Sequence, residues 1–90
     1  MSYRIMMEPP ADDDLARLPS PIAAAIRREI LRFAANPGGR SRPTRAPFPP
    51  GQVFETEFQF GDMTCYIAVV FQYGQDEQTL HVRRVFFEWY

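Results

Sequence analysis

VFETEFQFGDMTCYIAVVFQY, residues 53–73, carries two apolar patterns joined by a Gly61-Asp62 pair. Over residues 53–60 the pattern alternates, with Phe54, Thr56, Phe58 and Phe60 on one side and Val53, Glu55, Glu57 and Gln59 on the other. This is the period-2 signature of a strand with one buried and one wet face. Over residues 63–73 both parities are apolar around Ile67, Ala68, Val69 and Val70, which marks a central strand. Gly61-Asp62 reads as the turn of an antiparallel hairpin.

Downstream of this hairpin, residues 74–78 read as a second turn and residues 79–90 as a third strand. Its parity sets Leu80, Val82 and Phe86 on one face and His81, Arg83 and Phe87 on the other, with room for a bulge at Arg83-Arg84. Upstream, residues 37–51 hold five Pro, three Gly and three Arg, too little apolar surface for an element of their own, and are expected to be a loop. Ahead of it Ile22, Ile26, Ile30 and Phe33 recur at helical spacing, behind Ser20 as N-cap and Pro21 at the first helical position. Asn36-Pro37-Gly38-Gly39 ends that helix near Ala35. Asp12-Asp13-Asp14 with Leu15 and Leu18 reads as a short helix stopped by Pro19, its acids in the first turn where the helix dipole favours them. Residues 3–8 alternate in part and read as a strand ended by Pro9-Pro10. The order β-α-α-β-β-β predicts an α+β fold, with two N-terminal helices on one face of a small, mostly antiparallel sheet and the other face partly open.

Ninety residues suffice for a single domain, 1–90, and exclude a second core. With 46% hydrophobic and 23% charged residues, wholesale disorder is excluded. A lone cysteine, Cys65, rules out an internal disulfide and any multi-cysteine metal site, and reads as a small buried hydrophobe in a reducing compartment. No apolar run is long enough to span a bilayer and the first residues do not resemble a signal peptide, so a cytoplasmic location without membrane contact is expected. The net charge of −1 hides an asymmetry, since residues 1–45 carry eight Arg against five acids and residues 46–90 two Arg against six acids. All ten cations are Arg, suited to bidentate phosphate or carboxylate contacts.

The opening Tyr3-Arg4-Ile5, Pro10-Ala11 with Leu15 and Leu18-Pro19, the Ile22/Ile26 helix ending in Asn36-Pro37, and the final Leu80-His81-Val82-Arg83-Arg84-Val85 span nearly the whole chain. In these features and its element order the chain resembles the RelE/ParE superfamily of bacterial type II toxins, small cytoplasmic proteins with two N-terminal helices and a curved antiparallel sheet. The resemblance implies a toxin neutralised by a cognate antitoxin wrapped over it. RelE-like members cut messenger RNA in the ribosomal decoding site with basic and aromatic residues of the open sheet face, whereas ParE-like members inhibit DNA gyrase. Some RNA-cutting relatives add a Glu on an early sheet strand and a His near the C-terminus. Members usually carry one Arg in the central strand and another after the last strand. This chain has Thr64-Cys65-Tyr66 and Glu88 there and lacks Lys, so those roles are not carried over. The leading expectation is inhibition of translation by metal-independent mRNA cleavage, with no cofactor. The alternatives are a toxin-fold inhibitor that binds a protein such as DNA gyrase, and a degenerate interaction module.

Cleavage of RNA by its own 2′-hydroxyl needs a base, a cation on the phosphate and an acid for the leaving oxygen. Parity offers Glu55 or Glu57 as base, Arg83 as phosphate clamp and His81, whose ordinary pKa lies nearest neutrality, as acid. The competing reading makes them outward-facing residues of half-exposed strands, joined in cross-strand ion pairs. Arg40, Arg42 and Arg45 of the Pro/Gly loop are candidate phosphate or antitoxin contacts. One of Arg83 and Arg84 is expected to pair with an acid or reach over the sheet edge, and Arg84 joins the RNA-binding candidates. Tyr66 and Tyr90, with Phe87 and Trp89, are candidate base-stacking residues, or core and partner contacts. The Asp12-Asp13-Asp14 run points in several directions and is read as helix-start electrostatics, not as a metal site.

Overall fold

A computed structural model of the chain describes residues 2–46 and 50–90. The elements are β1 (Arg4–Met7), α1 (Pro9–Ala16), α2 (Ser20–Ala35), β2 (Ser41–Pro43), β3 (Gln52–Phe60), β4 (Met63–Tyr73) and β5 (Thr79–Trp89). The strands form one sheet in the order β1-β5-β4-β3-β2. β1 runs parallel to β5, and every other pair is antiparallel. The expected order of helices and strands is present, with β2 added at the edge.

The β3-β4 hairpin closes with Phe60 opposite Met63 around Gly61, whose φ of +59° is a left-handed conformation that favours glycine. β4 then lies in the middle of the sheet and turns Cys65, Ile67, Val69 and Phe71 toward the helices. α2 meets them with Ile22, Ala25, Ile26, Ile30 and Phe33. Phe33 stacks on Phe54 at 4.1 Å between ring centroids and stands edge-on to Phe71 at 5.3 Å. Each such side chain contributes about 1.5–3 kcal/mol by leaving water.

Four local expectations are corrected. Ser20 is the first helical residue, not the N-cap: Ile22 and Ala23 donate to the Pro19 carbonyl, which proline supplies as well as any residue. α1 begins at Pro9, so the proline pair starts the helix as well as ending the strand, and only Asp12 of the three acids lies in its first turn. Residues 41–43, read as loop, form β2, while residues 47–49 of that expected loop lie outside the described residues. The strand needs no buried surface, because its pairing with β3 comes from the backbone ladder and from Ser41 donating to Gln52 at 3.0 Å. Pro43 is tolerated on such an edge.

The fourth correction concerns parity in β5. The register passes from Val70 opposite Arg84 to Phe71 opposite Val82, with Arg83 as the extra residue of a bulge. The expected bulge is therefore present, and it inverts the facing of every β5 residue beyond it. Val85 is buried and Phe87 packs against the core, while Phe86 stands on the open face.

β1 ends where Glu8 donates to the Val82 carbonyl at 2.9 Å, and α1 continues alongside β5. Asp14 accepts the Val85 N–H at 2.9 Å and bonds the Arg84 guanidinium through Nε at 2.8 Å and Nη2 at 3.0 Å. Asp12 lies 3.9 Å from Arg27 of α2. These acids serve as tertiary ties more than as helix-start charges. No helix among the described residues is long and apolar enough to cross a membrane.

Candidate functional site

The helices cover one face of the sheet. The other presents Glu55 and Glu57 from β3, Tyr66, Ala68, Val70 and Gln72 from β4, and His81, Arg84 and Phe86 from β5, as the register of paired residues requires. Chemistry gathers on it at two places.

The first is a groove of about 200 Å³ with a floor of Val53, Ala68 and Val70, a Phe86 wall and Arg42 and Arg45 at its rim. Val70 is only 5% exposed although it faces away from the helices. Glu55 accepts from both the Arg42 guanidinium and the Tyr66 hydroxyl. The Tyr66 bond first, and then Arg42, hold the Glu55 carboxyl below its usual range. The same bond, with partial burial, pushes the Tyr66 hydroxyl up to about 12. One step along, the Tyr90 hydroxyl donates to Glu57 and its pKa is raised by that bond above all. The Arg84 guanidinium lies 5.1 Å from the Phe86 ring centroid while bound to Asp14.

The second place centres on His81. Its Nδ1 lies 3.5 Å from Glu8 Oε1, and its ring packs over Gly74, where a Cβ would come within 3.0 Å of Nε2. Across the ladder His81 faces Gln72, which accepts from Arg83 and donates to the Pro50 carbonyl.

Glu55, Glu57, His81 and Arg83 thus share the open face, as parity requires, but the set is divided. Glu55 is level with Ala68 and Phe86, and His81 with Gln72, a spacing of four β4 residues or about 13 Å along the strand. The acid beside His81 is Glu8. The loop arginines also diverge. Arg40 places its guanidinium 5.5 Å from the Phe33 ring centroid and 5.3 Å from that of Phe54 on the helix side, Arg42 binds Glu55, and Arg45 borders the groove. Among the described residues no group of three His, Cys, Asp or Glu is placed to hold a metal ion.

Glu8, Gln72 and Phe86 were not singled out from the sequence. Glu8 reaches His81 because β1 lies parallel to β5, with Met6 opposite His81, a long-range pairing with no local signature. Phe86 faces outward because of the bulge, for which the Arg83-Arg84 pair was the available signal.

No known family's sequence model and no curated protein matches the chain. Solved structures do. The toxin-antitoxin complex RelBE2 from Mycobacterium tuberculosis gives a TM-score of 0.67 at 20% identity, over 94% of this chain and 96% of that one. A mutant of the E. coli toxin RelE in the free state gives 0.63 at 14% identity, over 94% and 82%. The archaeal RelE-RelB complex from Pyrococcus horikoshii gives 0.54 at 16% identity, over 94% and 93%. The chain has the RelE-like toxin fold.

Proposed function

We propose that this chain is the toxin of a type II toxin-antitoxin pair, held by a cognate antitoxin in the cytoplasm, and that it inhibits translation by metal-independent cleavage of mRNA on its open sheet face. The observation that carries this reading is the His81, Arg83 and Glu8 cluster on the uncovered face of a RelE-like sheet. The antitoxin partner is supported by similarity to toxins solved in RelBE2 and RelE-RelB complexes.

In this reading the 2′-oxygen attacks phosphorus and the bond from phosphorus to O5′ breaks, leaving a cyclic phosphate and a 5′-hydroxyl. Arg83 binds the phosphate, Glu8 takes the 2′-hydroxyl proton and His81 gives one to O5′. Glu55 is a weak base, because its two bonds favour its charged form. With Glu57, Tyr66, Tyr90, Arg42, Arg45 and Arg84 it belongs to the RNA-contacting surface. Arg40, on the helix side, does not.

The test is to induce the wild type and a His81→Ala/Arg83→Ala double variant in cells and map mRNA 5′ ends by primer extension. Cuts at translated codons are expected only with the wild type. Whole messages beside arrested growth would sink the RNA reading and favour a protein target such as DNA gyrase. One observation favours that second reading: Arg4, Arg27, Arg32, Arg42 and Arg84 are already engaged by carboxylates, which reduces the charge left for phosphates.

A further inference from the structure

The groove beside Glu55 joins an apolar floor of Val53, Ala68 and Val70 and an aromatic wall, Phe86, to one fixed anion at its rim. At about 200 Å³ it is smaller than the roughly 300–1,000 Å³ of a drug-sized pocket, and suits a single flat ring system. The Glu55 carboxylate is held from two sides, Arg42 on Oε1 and Tyr66 on Oε2. An ionised carboxylate offers about four lone-pair sites, so each oxygen retains one. With its side chain 34% exposed, Glu55 can use both on a ligand, and it can only accept.

We propose that this groove is a subsite for one unstacked RNA base, guanine, with N1–H and N2–H donating to the two Glu55 oxygens and the ring lying on the Val53, Ala68 and Val70 floor against Phe86. The proposal rests on the RNA reading above. Single-stranded RNA is read by stacking the base and bonding its Watson–Crick edge, and guanine alone among the four bases has two adjacent donors there. Adenine and cytosine put a ring-nitrogen acceptor beside their amino group, and uracil puts carbonyls on both sides of its one N–H. Each sets a lone pair against the carboxylate, leaving an acceptor unsatisfied. Arg45 at the rim is placed for the nucleotide's phosphate, a contact that positions without specifying.

The test uses the full chain and six-nucleotide uridine RNAs carrying guanine, hypoxanthine or adenine at one central position, with affinities measured at fixed salt. Wild type is expected to bind the guanine RNA about tenfold or more tightly than the adenine RNA, with hypoxanthine, which lacks the N2 amino group, in between. Glu55→Gln, which exchanges one acceptor for a donor on an exposed strand position, is expected to bring guanine and adenine within twofold. Ala68→Leu, which fills the floor, is expected to lower guanine RNA affinity to the adenine level. Equal wild-type affinities, or a preference that survives in Glu55→Gln, would overturn the subsite while leaving the RNA reading standing. No binding of any of the three RNAs would likewise overturn the subsite, whereas the RNA reading itself stands or falls by the primer-extension map of translated messages.

Discussion

Asp14 is the carboxylate of its run that the fold uses most, its side chain only 11% exposed between α1 and β5. Burial raises its pKa, and the bonds from Arg84 and the Val85 N–H more than reverse this, leaving it below the ordinary value. A folded-state pKa below the unfolded one contributes stability that is present above the unfolded pKa, about 3.9, and lost as pH falls through the folded value. Asp14→Ala should cost about 2 kcal/mol in urea unfolding at neutral pH, and the gap to wild type should close progressively below about pH 4. Tyr66 offers a second check. Glu55→Gln removes the group that does most to hold its hydroxyl near 12, so tyrosinate absorbance should show one tyrosine ionising at lower pH than in wild type. At this scale the sequence allowed Glu55 and His81 to be set on the sides of their strands opposite Phe54 and Leu80, because parity is local. The partners of Asp14 and His81 were hidden, because each lies some seventy residues away.

At the scale of elements, α2 was legible but for its cap, since its stripe and its Asn36-Pro37 stop are both local signals, whereas the capping carbonyl of Pro19 has no side-chain signature. Ile26 lies at the centre of that stripe and is fully buried, whereas Leu31 is 60% exposed. Ile26→Ala should cost about 2–5 kcal/mol and Leu31→Ala less than about 0.5 kcal/mol, both by urea titration. The β5 bulge makes a sharper test. Deleting Arg83 restores plain alternation and turns either Leu80 and Val82 or Val85 and Phe87 away from the helices. The deletion should leave a poorly packed chain that binds hydrophobic dyes and lacks near-UV dichroism, whereas Arg83→Ala should fold normally. β2 escaped the sequence because it is held by backbone pairing, which leaves no hydrophobic pattern to read.

Across the whole molecule, the two oppositely charged halves are tied to each other. Arg4 pairs with Asp76, Arg42 with Glu55 and Asp14 with Arg84, each joining residues 1–45 to residues 46–90. The charge asymmetry between the halves is partly spent inside the fold. The Arg4–Asp76 and Arg42–Glu55 pairs are solvent-exposed and screened, and add little to stability, whereas Asp14 is sheltered from solvent, so stability should change little with salt. The antitoxin of the proposed pair, if it binds only the folded chain, should have a larger effect: a hundredfold excess over its Kd adds about 2.7 kcal/mol, or a rise in Tm of roughly 10 °C or more for a chain of this size. An unchanged Tm with the co-encoded partner would count against the pairing. The architecture followed from the order of amphipathic segments. The composition of the open face did not, because it depends on a parallel strand pair and a bulge.

The parallel pairing of β1 with β5 also orders events during synthesis. β1 emerges from the ribosome before β2, β3 and β4, yet its sheet neighbour among the described residues is β5, which follows them all, and the Asp14 tie closes on that same later strand. Long-range closure of this kind is slow. His81 and Glu8 come together, and the groove acquires its Phe86 wall, only once β5 has been made, so a nascent chain that has not reached β5 has no assembled open face, and a product truncated before β5 never acquires one.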